Sequence, residues 1–453
     1  MSAAALLAGA DDAVALIDAR DDRAITYAAL RAEVAAAGAA LAAAAGPGGL
    51  AFVFAGNDVA SIVDVLAALH AGVPVALFDR RLADDLAQAL VAAYRPEVIR
   101  GRALAAPGGG APAHPDLALL LSTSGSTGSH KLVRLSGGAV VANATAIAAA
   151  LGIGPGEVAP TSLPIHYSYG WSVVASHLAA GATVLVTDDG LVGDGFWAAC
   201  RRHRVTSLAG VPYSYQMLAR LDLDKLAPPS LTTLTQAGGA LAPALIERFH
   251  RVAVARGGRL FVMYGQTEAC ARIAVLPPAE LPARVGSVGR AVPGSALRVE
   301  VDGRAAAPDE VGDVVFTGPS VMMGYATARA DLARGDELGG VLATGDRGRV
   351  DADGFLWLAG RAARFAKLFG VRVNLDELEA LAAAALPAGA AVAAVPAGER
   401  IRLCVEGAVD AAALRAHLAA RTGLHGSGFV VEAIAALPRL PSGKPDYRTL
   451  EAP

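Results

Sequence analysis

The sequence predicts an α/β protein. It should have a large N-terminal part of doubly wound sheets with a β-rich subdomain, followed by a small α+β module. Three observations carry this reading. At 453 residues the chain exceeds the roughly 250–300 residues at which single cores stop growing, so two or more domains are expected. Short apolar runs alternate with alanine-rich helical stretches, the pattern of strands joined by helical crossovers. After Gly360-Arg361 the character changes to short strands between Ala/Leu/Glu-rich helical stretches. The chain is therefore divided into 1–360 and 361–453.

In chain order, Thr26–Ala45 has helix-forming composition and ends at Gly46-Pro47-Gly48-Gly49. Leu50–Ala55 reads as a buried strand, Ala60–Ala71 as a helix and Val73–Phe78 as a further strand. Leu117–Leu121 is another buried strand, and the loop after it leaves from the carboxyl end, where open α/β sheets place ligands. Thr183–Thr187 and Val205–Ala209 read as strands around a Phe196–Arg204 helix. Gly312–Tyr325 and Ala343–Arg361 are β-rich, with tight turns at Asp353-Gly354 and Gly360. Ile401–Val405 is a strand of the C-terminal module.

Composition excludes several classes. With 54% hydrophobic and 18% charged residues the chain buries large cores and is not disordered. A net charge of −3 leaves no basic footprint for nucleic acid. Cys200, Cys270 and Cys404 fit neither a disulfide framework nor a zinc pattern, which points to a reducing, cytoplasmic compartment. The N-terminus lacks the basic region of a signal peptide. The uncharged stretch Ala35–Gly56 is mostly alanine and broken by glycine and proline, so it reads as a buried helix–turn–strand rather than a membrane span.

Ser122–Lys131, STSGSTGSHK, is a run of hydroxyls and glycines closed by a lysine. Glycines expose backbone amides, Ser and Thr add hydroxyl donors, and lysine supplies a mobile point charge, together a cradle for phosphate oxygens. A solvent-exposed Ser/Gly turn is the alternative on composition alone. The Walker pattern fails because Lys131 lies between His130 and Leu132, and no Gly-x-Ser-x-Gly elbow is present. The chain has only four lysines, Lys131, Lys225, Lys367 and Lys444, among 39 basic residues. Arginine serves on the surface, so these lysines are candidates for chemistry that a planar guanidinium cannot perform.

Three further stretches suit a nucleotide or acid site. Ser162–Gly170, SLPIHYSYG, carries His166, either a packed hydrogen-bonded residue or a catalyst. Gln236–Leu241 (QAGGAL) and Met263–Glu268 (MYGQTE) each follow an apolar stretch, as loops at strand ends do. A tyrosine able to stack on a base stands there beside a carboxylate able to hold magnesium. Asp346, in Thr-Gly-Asp, is a candidate for ribose hydroxyls or a turn residue.

Taken together, Thr123–Lys131, Tyr264–Glu268, Ala343–Asp346, Gly360–Glu379 and Pro441–Lys444 occur in the order seen in adenylate-forming enzymes. The chain resembles that superfamily of acyl-CoA synthetases, peptide-synthetase adenylation domains and luciferases from about Thr26 onward. It is nearer the acyl- or aryl-CoA ligase branch. The resemblance implies a large N-terminal domain and a small mobile C-terminal lid with the active site between them. It implies ATP and Mg2+ as cofactors, and it suits bacterial secondary metabolism.

By motif, the resemblance places Thr123, Ser124, Gly125, Ser126, Thr127, Gly128 and Lys131 on the ATP phosphates. Gly238, Gly239, Ala240, Tyr264, Gly265, Gln266 and Thr267 fall around the adenine. Asp346 and Arg361 match the ribose ligands, and Glu268 with Thr127 the metal ligands. Lys444 matches the adenylation lysine, which bridges the attacking carboxylate and the α-phosphate. Lys367 and Gly370 match the loop that faces the active site when a thiol attacks. His166, Tyr167, Tyr169, Gly170, Trp171, Tyr213, Gly238 and Met263 would line the acid pocket, with His166 also a catalytic candidate.

Departures refine the expectation. The chain is shorter than typical members, with the shortening placed before Leu117. His130 and Asn374 stand where proline is usual, and Ala363 replaces a hinge Asp or Lys. Ile165-His166 stands where amino-acid-activating members carry Phe-Asp, leaving no partner for a substrate ammonium. The resemblance therefore implies ATP-dependent activation of a carboxylic acid that is not an α-amino acid, with transfer to a thiol, CoA foremost. An acyl carrier protein, an amine or another acceptor is the alternative. A non-catalytic nucleotide-binding regulator is the alternative of another class.

Overall fold

The structure is a computed structural model and describes residues 3–122, 131–361, 364–368, 371–387, 389–398, 400–422, 424–440 and 443–451. Thr123–His130 of the expected phosphate loop, Ala363, Gly370 and Pro441-Ser442 lie outside the described residues. The chain forms two compact units. One comprises Met1–Leu297 with Phe316–Leu342, the other Arg298–Val315 with Ala343–Pro453.

The larger unit holds a six-stranded sheet, in the order Gly324–Ala326, Leu132–Ser136, Leu117–Ser122, Val75–Asp79, Ala51–Ala55, Val98–Arg100. The last four run parallel; Leu132–Ser136 pairs antiparallel with Leu117–Ser122, and Gly324–Ala326 antiparallel with Leu132–Ser136. Ala51–Ala55 is buried at every position, as expected of a parallel strand covered on both faces. Phe52 makes edge contacts with Phe54 and Phe78, at centroid separations of 6.3 and 4.8 Å, and Tyr94 closes the same cluster. This aromatic packing, with Leu117 and Leu120 in the same core, holds the strands whose carboxyl ends carry Asp79 and Ser122.

Helix Tyr27–Ala45 starts at Thr26, whose hydroxyl accepts from the Ala29 amide at 3.2 Å. It is long and apolar enough to cross a bilayer. Here Leu30, Val34 and Leu41 recur at helical spacing and are buried within the fold. Gly38 permits close approach to helix Val59–Ala71, because a Cβ there would lie 3.0 Å from the Ala67 carbonyl.

A second set of parallel strands, Ser207–Gly210, Thr233–Gln236 and Arg259–Tyr264, runs in register and is followed by antiparallel Ala274–Leu276 and Ser287–Ala291. Arg23–Thr26, Val14–Asp18, Thr183–Val186 and Val158–Pro160 form a four-stranded sheet. The Gly238-Gly239 and Gly265–Glu268 segments leave the carboxyl ends of Thr233–Gln236 and Arg259–Tyr264. The sheet thus delivers both nucleotide candidates to one edge.

The smaller unit includes, from Ala343 on, the hairpin Val341–Val350/Leu356–Arg361, and with it the hairpin Phe365–Leu368/Val371–Asn374 and the sheet Val392–Ala397, Arg400–Glu406, Phe429–Ile434. Helices Leu375–Ala384 and Ala411–Thr422 cover its core of Leu378, Ile401, Leu403, Val405, Leu414 and Phe429. This compact unit is larger than the segment 361–453 marked by composition, since it also takes in Arg298–Val315 and the chain from Ala343. Hairpin pairing between Val341–Val350 and Leu356–Arg361 carries residues before Gly360 into it, a link that local composition does not record. One local expectation changes. Asp346 lies inside a ten-residue strand rather than a turn, after Gly345 at φ +72°.

Candidate active site

Lys131 directly precedes strand Leu132–Ser136, and Leu132 pairs in register with Ser122. Its ammonium lies 3.5 Å from the centroid of the Tyr325 ring. The Tyr325 hydroxyl donates to Glu268 Oε1 at 2.9 Å. Cation, aromatic face and carboxylate thus meet in one cluster, in which the ring quadrupole attracts the ammonium. Arg134, fully buried, fixes the backbone beneath. It donates to the carbonyls of Met323 at 3.0 Å and Tyr325 at 3.2 Å, and pairs with Glu337 at 2.6 Å. Neither Tyr325 nor Arg134 was singled out as a site residue by sequence. Their signals are weak, because Tyr325 closes a β-rich stretch and Arg134 is one arginine among many.

Behind Glu268, the chain makes a tight return. Cys270 at φ +62° and Ala271 at φ +151° are consecutive non-glycine residues in sparsely populated backbone regions. The turn brings the Ile273 amide to the Tyr264 carbonyl at 2.9 Å. A Cβ on Gly265 would stand 1.6 Å from the Ala271 oxygen, so only glycine fits. Thr267 is buried and its hydroxyl meets Ser168 Oγ at 3.2 Å. Gln266 Nε2 is buried with no hydrogen-bond partner among the described residues.

On the neighbouring strand end, Gln236 donates to the Gly239 carbonyl at 2.8 Å and shapes the glycine loop. Gly238 has φ +85°, and a Cβ there would meet the Tyr167 hydroxyl at 2.9 Å. Gly239 and Ala240 are exposed at the loop's tip, and Tyr264 is buried at the strand end.

The acid-pocket candidates divide. His166 sits with Nε2 3.9 Å from Asp79 Oδ2, and burial lowers its pKa below the usual imidazole value, against the pull of Asp79. Asn57 holds this segment: its amide donates to the Thr161 carbonyl at 2.8 Å and accepts from the Ile165 amide at 3.1 Å. Sequence reasoning missed Asn57, which looks like any loop asparagine. Burial pushes the Tyr167 hydroxyl up to about 12, so it stays a neutral donor. Tyr169 and Met263 line a cavity beneath the strand ends, together with Arg272. Gly170 packs against the Pro164 backbone, where a Cβ would approach to 2.1 Å. Trp171 is buried and Tyr213 is 41% exposed; neither lines that cavity.

Within the smaller unit, Asp346 and Arg361 are cross-strand partners in the antiparallel hairpin. Asp346 is buried, and its amide donates to Thr344 Oγ1 at 3.1 Å. Lys367 pairs in register with Arg372. Lys444 occupies a tight turn, closed by Leu440 N to Lys444 O at 2.9 Å and an Arg439–Pro445 bridge. The following helix is anchored by Tyr447, whose hydroxyl donates to Glu379 at 3.0 Å and whose ring faces the Arg364 guanidinium at 3.7 Å. Arg364 also pairs with Glu379 at 2.8 Å.

Magnesium fits this donor set in a specific way. No group of three or more His, Cys, Asp or Glu side chains suited to a metal occurs among the described residues. Glu268 is the carboxylate present in the Lys131–Tyr325 cluster. A hard cation held by one carboxylate, with phosphate oxygens and waters completing its shell, is the usual magnesium arrangement in nucleotide sites.

Residues 101–326 match the AMP-binding enzyme family. The chain is similar to sulfoacetate–CoA ligase of Cupriavidus necator, with 34% identity over 74% of this chain and 66% of that protein. It is also similar to 2-succinylbenzoate–CoA ligase of Bacillus subtilis, with 28% identity over 58% of this chain and 53% of that protein. The chain thus spans about half to two thirds of the length of such relatives. Among solved structures, it superposes on the amide bond synthetase McbA of Marinactinospora thermotolerans at TM-score 0.80 and 25% identity, covering 99% of this chain and 98% of that one. It superposes on the o-succinylbenzoate coenzyme A synthetase of Bacillus subtilis in complex with ATP and magnesium at TM-score 0.78 and 24% identity, with 97% of each chain covered. The fold expected from sequence, a large α/β part followed by a smaller C-terminal part, is the one these structures share. The chain belongs to the AMP-binding, adenylate-forming enzyme family.

Proposed function

We propose that this protein is an AMP-forming acid–thiol ligase. It activates a small carboxylic acid, not an α-amino acid, with ATP and passes the acyl group to CoA. The observation that carries this reading is the Lys131–Tyr325–Glu268 cluster. Lys131, the cation that closes the Ser/Gly/Thr run in sequence, shares Tyr325 with a metal-competent carboxylate, a combination that supports triphosphate binding. The similarity to acid–CoA ligases supports the choice of acceptor.

In the first step a carboxylate oxygen attacks the α-phosphorus, the bond to the β-phosphate oxygen breaks, and pyrophosphate leaves. Two anions meet, so the protein's task is charge neutralisation and alignment. Magnesium, when bound, offsets phosphate charge. Lys131 and the 123–128 loop hold the leaving pyrophosphate, and Gln266, Tyr264 and the Gly238-Gly239 loop receive the adenine. Asp346 and Arg361 hold the ribose, and the Lys444 ammonium neutralises charge between the carboxylate and the α-phosphate. Neutral His166 bears on the acid side. In the second step a thiol attacks the acyl carbon and AMP leaves, with Lys367 serving this half-reaction. The segment from 361 onward acts as the lid that excludes water from the anhydride. The three cysteines are buried and unpaired, in keeping with the reducing, cytoplasmic compartment we assign.

Transfer to an amine is the second reading, favoured by the likeness to an amide bond synthetase; a carrier-protein thiol is a variant of the first. Pyrophosphate exchange into ATP over a panel of carboxylic acids tests activation independently of the acceptor. Product analysis with CoA, a phosphopantetheinylated carrier, amines and hydroxylamine then assigns transfer. Absence of exchange with every acid would sink the enzyme reading and leave the nucleotide-binding regulator.

A further inference from the structure

Ser207 and Ala209, Thr233 and Thr235, and Met263 project from one face of the parallel strands, two residues apart as pleating requires. Tyr169, Ser172, Ser176 and His177 of helix Ser168–Ala179 face them across a cavity. The space open to the centre of a water molecule is about 20 Å³, enough for roughly one water. Met263 is the flexible wall residue, able to yield to a somewhat larger group.

Arg272 lines this cavity and is 2% exposed. Its guanidinium carbon lies 4.5 Å from the Tyr169 ring centroid. Nη2 reaches Ser172 Oγ only at 3.5 Å, and Nε has no partner among the described residues. No described carboxylate pairs with it. Asn143 holds its backbone on both sides, donating to the Arg272 carbonyl at 2.9 Å and accepting from its amide at 3.3 Å, so the side chain is aimed by a fixed main chain. Glu157, also on the lining, is engaged by Arg259 at 3.3 Å, and His177 is kept neutral by burial. An arginine buried without a counter-ion is costly, and its planar fork matches a carboxylate or sulfonate.

We propose that Arg272 is the anion-binding end of the acid pocket, so that the acid this protein activates carries a second anionic group besides the carboxylate that reacts. The inference rests on the acid-activating reading and specifies its substrate class. Tyr169, under the guanidinium, bonds to Thr235, one residue from the strand end at Gln236 where the candidate nucleotide loops begin. Acids with a short spacer of a few carbons or one ring between the two anionic groups are therefore the ones to test.

The first arm of the test needs no variant. ATP–pyrophosphate exchange by the full chain is measured with pairs that differ in a distal anion: succinate against butyrate, glutarate against valerate, phthalate against benzoate. At least one doubly anionic acid is expected to exceed its partner by about tenfold or more in kcat/KM, since an unpaired buried charge discriminates strongly. If the singly anionic acid equals or exceeds its partner in every pair, the proposal is overturned while acid activation stands.

The second arm is Arg272→Met. It is expected to cut exchange with the preferred dianion about 100-fold and to spare or raise exchange with its singly anionic partner; equal loss on both overturns the proposal. The same variant is expected to melt no lower than wild type, because it removes an uncompensated buried charge. Should it fail to fold, Arg272→Lys keeps the charge without the fork and is expected to weaken the preference without abolishing it; an unchanged preference overturns the assignment. If no acid supports exchange, acid activation itself fails, and Arg272 is read from melting temperature. Millimolar succinate, glutarate or phthalate is then expected to stabilise wild type more than the monoanions do at equal ionic strength, and no difference overturns the subsite.

Discussion

The Lys131 ammonium sits 3.5 Å above the ring of Tyr325, and that ring's hydroxyl donates to Glu268 at 2.9 Å. One side chain therefore holds two groups separably, an ammonium on its face and a carboxylate at its edge. Tyr325→Phe removes only the second. Its expected effect is a rise of about fivefold in the magnesium concentration needed for half-maximal exchange, as befits loss of a half-exposed hydrogen bond to a carboxylate. Tyr325→Leu also removes the face, and about 1–2 kcal/mol of cation–π attraction should raise KM for ATP by roughly tenfold. Identical kinetics for the two variants would show that the ring face has no role.

Much of this arrangement was legible in the sequence, and the reason is local. The strands that end at Gln236 and Tyr264 are short apolar runs, and the glycine-rich loops after them are continuous in the chain, so motif and position are read together. Tyr325, Arg134 and Asn57 act on residues far away in sequence: Asn57 holds Thr161 and Ile165, and Arg134 holds Tyr325. Only the fold brings those partners together. Arg272 left a trace, a lone arginine in the apolar run Ala269–Leu276, yet whether such a residue faces solvent or a cavity depends on a turn with two positive-φ non-glycine residues. Asp346 shows the same limit from the other side. A Thr-Gly-Asp string resembles a turn, and it becomes strand because Leu356–Arg361 pairs with it.

On the function proposed above, Lys444 and Lys367 serve different half-reactions, and single variants separate them. Lys444→Ala is expected to reduce pyrophosphate exchange by about 10²–10³-fold, the usual loss when a donor to developing charge is removed. Lys367→Ala should leave exchange within about twofold and slow thioester formation by tenfold or more, if binding and transfer use different loops. Single-turnover quench with labelled ATP and CoA measures both. Full exchange activity in Lys444→Ala would remove that lysine from the chemistry.

Gly265→Ala probes the turn that presents Glu268. A methyl group there would come within 1.6 Å of the Ala271 carbonyl oxygen, so the Cys270-Ala271 return has to open and Glu268 to move with it. Alanine at an open surface glycine would change stability by less than about 1 kcal/mol. Here the expected result is a fall of 10 °C or more in Tm, or soluble protein with KM for ATP raised by about 100-fold. Wild-type kinetics and Tm together would mean that the close approach does not govern the loop.

His177 makes the fold sensitive to acid. Its Nδ1 donates to the Val173 carbonyl at 2.8 Å and Nε2 lies 3.3 Å from Ser207 Oγ, and burial holds its pKa down to about 4. Glu157 Oε2, 3.9 Å from Nε2, does not keep the ring charged; it is partly buried, its pKa is raised by that burial, and it is taken up by Arg259. The unfolded chain binds a proton on this histidine below about 6.5, whereas the folded chain does so only below about 4. Between those values the unfolded state holds more protons, so stability is full above about pH 6.5 and falls as pH drops, by up to about 3 kcal/mol near pH 4. Urea midpoints at pH 7, 6 and 5 measure the slope, and Ser207→Ala, which leaves the imidazole buried, should retain it. His177→Gln lacks the titrating group and is expected to show a shallower acid loss than wild type, even if less stable at pH 7. Parallel curves for wild type and His177→Gln would place the acid sensitivity on other groups.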